Sequence, residues 1–192
     1  MNRRDLTRNV FLVENAYTEQ ECLSLIAESE TYAYHPAPVA QVLIVPEIRN
    51  NTRVMFDDPR LAATILERLR PHLPEQIEPG WHLQGINERI RFYRYDPGER
   101  FAWHLDAVFH RTDIEWSWLT LMVYLNDNFE GGATSFYDDS APGGFLRVTP
   151  KTGTVLLFRH DELLRHAGEK VTTGRKYVLR TDVMYRLRAF ER

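Results

Sequence analysis

The sequence predicts an α+β, mainly β fold: a double-stranded β-helix, or jelly roll, with flanking N-terminal helices. Three observations carry this. Helical periodicity is confined to two short stretches before residue 70. From residue 87 onward, aliphatic and aromatic runs alternate with Gly-, Pro-, Asn- and Asp-rich separators, the pattern of strands and tight turns. A His-x-Asp pair in one strand-like segment is answered about sixty residues later by a further His, which suits ligands delivered from different strands of a closed barrel.

The elements follow in order. Thr18-Glu19-Gln20-Glu21 forms a capping box, and Cys22, Leu25 and Ile26 follow at helical spacing. VLIVPEI (42–48) and TRVMF (52–56) read as short strands. A second helix starts with Asp58 as cap and Pro59 in the first turn, carries Leu61, Ile65, Leu66 and Leu69 as one apolar stripe, and ends at Pro71. INERIRFYRY (86–95) reads as one strand, followed by FAWHLDA (101–107), WSWLTLMVYL (116–125), TSFYD, TVLLF and KYVLRTDVMYR. The chain of 192 residues suffices for one domain with a sizeable core, 1–192, with a mixed helical support at 1–86 and a jelly-roll core at 87–186.

Bulk properties narrow the function classes. A net charge of −3 argues against nonspecific nucleic-acid binding. The single Cys22 cannot form an internal disulfide, which fits a reducing cytoplasm. The basic start MNRRDLTR is followed only by VFLV, too short for a signal peptide, and no run is long enough to cross a bilayer. No nucleic-acid or membrane partner is therefore expected; a small molecule or a peptide is.

The chemistry concentrates in His104, Asp106, His166 and Lys176. Residues i and i+2 of a strand point to one face, so His104 and Asp106 can reach one ion. Two imidazoles and one carboxylate form a facial triad that leaves metal positions open. His160 competes with His166 for the third position and lies nearer the TVLLF strand, but only His166 is followed by Gly168, Val171, Gly174 and Lys176 in the pattern H-x-G-x-x-V-x-x-G-x-K. Lys176, Val178 and Arg180 share a strand face, so either cation could anchor an acidic co-substrate. Arg180 could equally hold Asp182 or meet the primary substrate.

Five ordered motifs over residues 87–186 resemble the 2-oxoglutarate/Fe(II)-dependent oxygenases of the prolyl 4-hydroxylase type. They are Tyr95-Asp96-Pro97-Gly98, Thr120 to Leu125 (TLMVYL), Glu130 to Phe136 (EGGATSF), Val148 to Gly153 (VTPKTG), and the His166 to Lys176 pattern. The resemblance implies Fe(II) on His104, Asp106 and His166, with 2-oxoglutarate paired to Lys176 and helped by the hydroxyls of Tyr95 and Thr120. Tyr124 shares a face with Thr120 and is expected to line the same pocket. O₂ would be the oxidant and ascorbate a candidate reductant. Hydroxylation of an unactivated C–H bond of an amino acid, prolyl peptide or small molecule would be the outcome. Asp106 argues against halogenation, for which relatives of this type lack the carboxylate.

Two other classes remain at this point. One is a cupin-like metal-dependent isomerase or hydrolase; the other is a non-catalytic ligand-sensing module. Segments 34–53 and 107–116 are irregular and are candidate lids, since loops on a rigid scaffold carry specificity. Arg89, Arg91 and Tyr93 share the face of Tyr95 and, with Asn87, are candidates for the approach to the metal.

Overall fold

The computed structural model describes residues 1–39, 43–160 and 163–188. Two helices and eleven principal strands organise the chain: β1 (Val10–Glu14), α1 (Glu19–Ser29), β2 (Thr52–Asp57), α2 (Pro59–Leu69), β3 (Trp81–Ile86), β4 (Arg89–Tyr95), β5 (Phe101–His104), β6 (Glu115–Tyr124), β7 (Thr134–Tyr137), β8 (Phe145–Val148), β9 (Val155–Arg159), β10 (His166–Gly168) and β11 (Lys176–Leu187). A major sheet runs β1-β9-β6-β11-β4-β2, with β3 also paired to β11. A minor sheet runs β8-β7-β10-β5. These pairings are antiparallel. The two sheets make the double-stranded β-helix.

The period-2 alternation of the major-sheet strands divides the apolar residues between two cores. Leu119, Leu121 and Val123 of β6, Val155 and Leu157 of β9, and Leu179 and Val183 of β11 pack on the face that also holds Ile65 and Leu69 of α2. Tyr124, Leu156, Phe158 and Val178 point the other way and meet Phe136 of β7, Val148 of β8 and Leu164, so the two sheets enclose a second core. Each fully buried aliphatic or aromatic side chain contributes roughly 1.5–3 kcal/mol relative to exposure. The polar residues Lys176, Arg180 and Asp182 of β11 alternate with the outer-core residues, so strand phase directs them inward.

Both helices begin as expected. The Thr18 hydroxyl accepts from the Glu21 amide and the Glu21 carboxylate accepts from the Thr18 amide. Asp58 accepts from the amides of Arg60 and Leu61, each at 2.9 Å.

Three expected strands differ. VLIVPEI is not a strand over its described residues 43–48: Leu43 makes an isolated bridge to Val39, and residues 46–48 form a turn at Pro46, which has no amide hydrogen for a ladder. Val42 lies outside the described residues. INERIRFYRY is interrupted at Asn87, whose side-chain carbonyl accepts from the Arg89 amide while its own amide bonds Asp182, turning the chain between β3 and β4. FAWHLDA ends as a strand at His104, so Asp106 is carried by a loop. The adjoining segment 107–116 is part of a hairpin, its short strand His110–Thr112 pairing with the start of β6.

Candidate metal centre and co-substrate pocket

His104 ends β5 and His166 begins β10, and the antiparallel register sets the two residues directly opposite each other. Asp106 returns from the loop after β5. One ligand atom from each of the three lies within 4.8 Å of the others. The Nε2 atoms of His104 and His166 stand 3.8 and 3.6 Å from the Asp106 oxygens.

Both imidazoles are turned the right way for a cation. His104 Nδ1 lies 2.7 Å from the Ala102 carbonyl and His166 Nδ1 lies 3.4 Å from the Leu164 carbonyl. Nδ1 therefore carries the hydrogen and Nε2 keeps its lone pair, the usual arrangement of ligating histidines. Burial, reinforced by His166, drives His104 down to about 3; burial likewise lowers His166. Burial acts to raise the Asp106 carboxyl, but Arg180, His166 and His104 together hold it well below the usual carboxylate range. Two neutral imidazoles and an ionised carboxylate are the donor set a borderline divalent ion needs, and the residues fit Fe(II).

Asp106 is held from behind. Thr120 Oγ1 donates to its Oδ2 at 2.6 Å and Arg180 Nη2 stands 3.0 Å from the same oxygen. Thr120 has one hydrogen, spent on Asp106, so His160 Nε2 must donate in its 2.8 Å contact with Thr120. Nε2 of His160 thus has no free lone pair, which separates it from His166. Arg180 also reaches Asp182 at 3.2 Å, as one sequence reading allowed.

Lys176 lies deeper, at the start of β11, fully buried, its ammonium donating to the Gly132 carbonyl at 2.6 Å. The rings of Tyr95 and Tyr124 lie 5.3 and 5.5 Å from the ammonium. Burial, only partly opposed by Glu169, lowers Lys176 to about 7. Gly132 sits in the left-handed region at φ 62°, and a Cβ there would meet Phe129 at 2.9 Å and Lys176 itself at 3.2 Å. A cavity of about 520 Å³ connects the two parts, lined among others by Tyr95, His104, Asp106, His166, Lys176 and Arg180.

Two expected cavity residues stand elsewhere. Thr120 was expected beside the Lys176 end, but it bonds Asp106 behind the metal cluster, because it pairs with Asp182 of β11, six residues beyond Lys176. Tyr124 is behind the wall, its hydroxyl paired with Thr134 Oγ1 at 2.8 Å, and Thr134 faces the cavity in its place. Neither Thr134 nor Phe101, whose ring stacks on His104 at 3.4 Å, was singled out as a site residue. Thr134 had a signal, being the Thr of EGGATSF; Phe101 had none beyond its strand.

The family model of the 2OG-Fe(II) oxygenase superfamily matches residues 90–181, the stretch that holds both the metal cluster and Lys176. Residues 90–181 are a 2OG-Fe(II) oxygenase domain. Fe(II) and 2-oxoglutarate are accordingly the metal and co-substrate of this oxygenase. None of the curated proteins matches it by sequence. Similar solved structures include the viral collagen prolyl hydroxylase vCPH from Paramecium bursaria Chlorella virus-1 in complex with 2OG, at 20% identity and TM-score 0.64, covering 94% of this chain and 97% of that one. The Pseudomonas putida prolyl-4-hydroxylase aligns at 19% identity and TM-score 0.69, covering 94% and 93%. A Trichoplax adhaerens prolyl hydroxylase in complex with a hypoxia inducible factor peptide aligns at 17% identity and TM-score 0.71, covering 92% and 84%. At these identities the likeness establishes the shared fold.

Proposed function

We propose that His104, Asp106 and His166 hold the Fe(II) and that Lys176 anchors the far carboxylate of 2-oxoglutarate, with Tyr95 and Thr134 beside it. The observation that carries this is one cavity lined by both a three-ligand cluster and a buried lysine that forms no salt bridge among the described residues. When bound, iron and 2-oxoglutarate supply the oxidation: the co-substrate loses CO₂ to become succinate, O₂ is consumed, and a substrate C–H bond becomes C–OH.

The chain's own residues do the rest. Thr120 and Arg180 fix one Asp106 oxygen and leave the other for the metal. The Ala102 and Leu164 carbonyls hold the imidazole tautomers. Lys176 charges when the dianion arrives, because a desolvated carboxylate needs a cation. The hydroxylated substrate is an amino acid, a prolyl or other peptide, or a small molecule; the peptide complex of the Trichoplax protein supports a peptide.

The test is O₂-dependent conversion of 2-oxoglutarate to succinate by the Fe(II)-loaded protein, which is the expected result. Metal binding with no succinate formed in the presence of O₂ would instead favour an isomerase, hydrolase or sensing role.

A further inference from the structure

The wall of the cavity on the β2 and β4 side is cationic beyond what the metal and the co-substrate need. Arg49, Arg53, Arg89, Arg91 and Arg180 line the cavity with Lys176, against Asp106 and Asp182 as its carboxylates. Arg180 is taken up by both of those, Arg91 stands 3.4 Å from Asp182, and Arg89 is paired with Asp57. Among the described residues, Arg49 and Arg53 have no carboxylate partner. Fe(II) and 2-oxoglutarate bring equal and opposite charge, so loading them leaves this excess in place.

Arg49 is the informative member. It is 6% exposed, and its guanidinium is clamped between the rings of Tyr93 at 4.6 Å and Phe101 at 4.3 Å. Phe101 in turn stacks on His104, so Arg49 is two ring layers from the candidate metal ligand. Nε donates to Asn51, yet Nη2 is buried without a hydrogen-bond partner among the described residues. An orphaned guanidinium nitrogen is costly unless a bound group completes it. Tyr93 reports the same local field. Burial would raise its phenol, but Arg49, Arg180 and Arg91 bring it down to about 8.

We propose that the primary substrate is an anion, whose carboxylate or phosphate is read by Arg49 and Arg53 at the β2–β4 wall while its reacting carbon faces the metal cluster. The arrangement rests on the oxygenase reading above. Guanidinium forks suit planar or tetrahedral oxyanions, and the stacking on Tyr93 and Phe101 fixes the fork in advance.

The experiment uses the full chain loaded with Mn(II) in place of Fe(II) and saturated with 2-oxoglutarate, so that the Lys176 end is filled. Calorimetric titration compares N-acetyl-L-aspartate with its diamide, and O-phospho-L-serine with L-serine. At least one anion is expected to bind tenfold or more tighter than its neutral partner, and the pair that discriminates identifies carboxylate or phosphate. Arg49→Gln and Arg53→Gln should each reduce that preference at least fivefold and shift 2-oxoglutarate affinity less than twofold. Arg53 is half-buried on an outer strand, so its variant tests the proposal even where loss of Arg49 disturbs folding. Equal binding of charged and neutral partners, or no binding of either anion, overturns the proposal. So does an equal loss of 2-oxoglutarate affinity in the Arg53 variant, which would assign the arginines to the co-substrate. Failure of the wild-type protein to bind 2-oxoglutarate at all would overturn the oxygenase reading itself.

Discussion

His166 and His160 are six residues apart and both side chains are buried, yet their rings are committed differently. His166 Nε2 faces Asp106 with its lone pair free, whereas His160 Nε2 spends its hydrogen on Thr120. His166→Ala should therefore abolish stoichiometric Fe(II) binding, while His160→Ala should retain it and lose activity only through a looser Asp106; metal analysis of the two purified variants reads this directly. Lys176 gives a second expectation. Removing a charge-assisted hydrogen bond costs roughly 1.5–3 kcal/mol, so Lys176→Ala should weaken 2-oxoglutarate about ten- to a hundredfold and leave Fe(II) binding intact. The sign of the pH dependence follows from the empty-site value of about 7. Below it the ammonium is already charged and affinity is flat. Above it the lysine is neutral and binding must take up a proton, so affinity falls toward tenfold per pH unit. Titration in buffers of different ionisation enthalpy should show proton uptake at pH 8 that is absent in Lys176→Ala; pH-independent affinity from 6 to 9 would contradict the burial argument.

At the scale of elements, the site is the meeting of two strand ends and one turn. The β5–β10 register sets His104 opposite His166, and the turn before β7 brings the Gly132 carbonyl to Lys176. Gly131 and Gly132 both have positive φ, and a Cβ on Gly131 would lie 2.2 Å from the Lys170 carbonyl oxygen. Gly132→Ala should push Lys176 out of place and raise the 2-oxoglutarate dissociation constant at least tenfold, with metal stoichiometry unchanged; equilibrium binding checks it. Much of this was legible beforehand. The two helix caps, the strand phase of β6, β9 and β11, and the H-x-G-x-x-V-x-x-G-x-K pattern are local or periodic, and the structure places them as read. What escaped was non-local. Thr120 could be phased inward from sequence, but which end of the cavity it meets depends on the β6–β11 register. The Arg49 clamp joins a loop, β4 and β5 across about fifty residues, and no periodicity announces it. Nor does hydropathy separate VLIVPEI from a strand; its Pro46 turn does.

Over the whole molecule, charge is placed against the average. The chain carries a net charge of −3, yet the cavity wall is basic, so the field that selects the ligands is local. No helix among the described residues is long and apolar enough to cross a membrane. The two candidate histidine ligands lie on the minor sheet and Lys176 on the major sheet, so the proposed site needs both sheets in register. The most direct measurement is anaerobic titration of the protein with Fe(II) and then 2-oxoglutarate, followed by visible absorption. One Fe(II) per chain and a charge-transfer band on adding 2-oxoglutarate are expected, with Asp106→Ala and His166→Ala showing neither. A band of full intensity in either variant, or its absence from the iron-loaded wild-type protein, would contradict the assignment of His104, Asp106 and His166 as the metal centre.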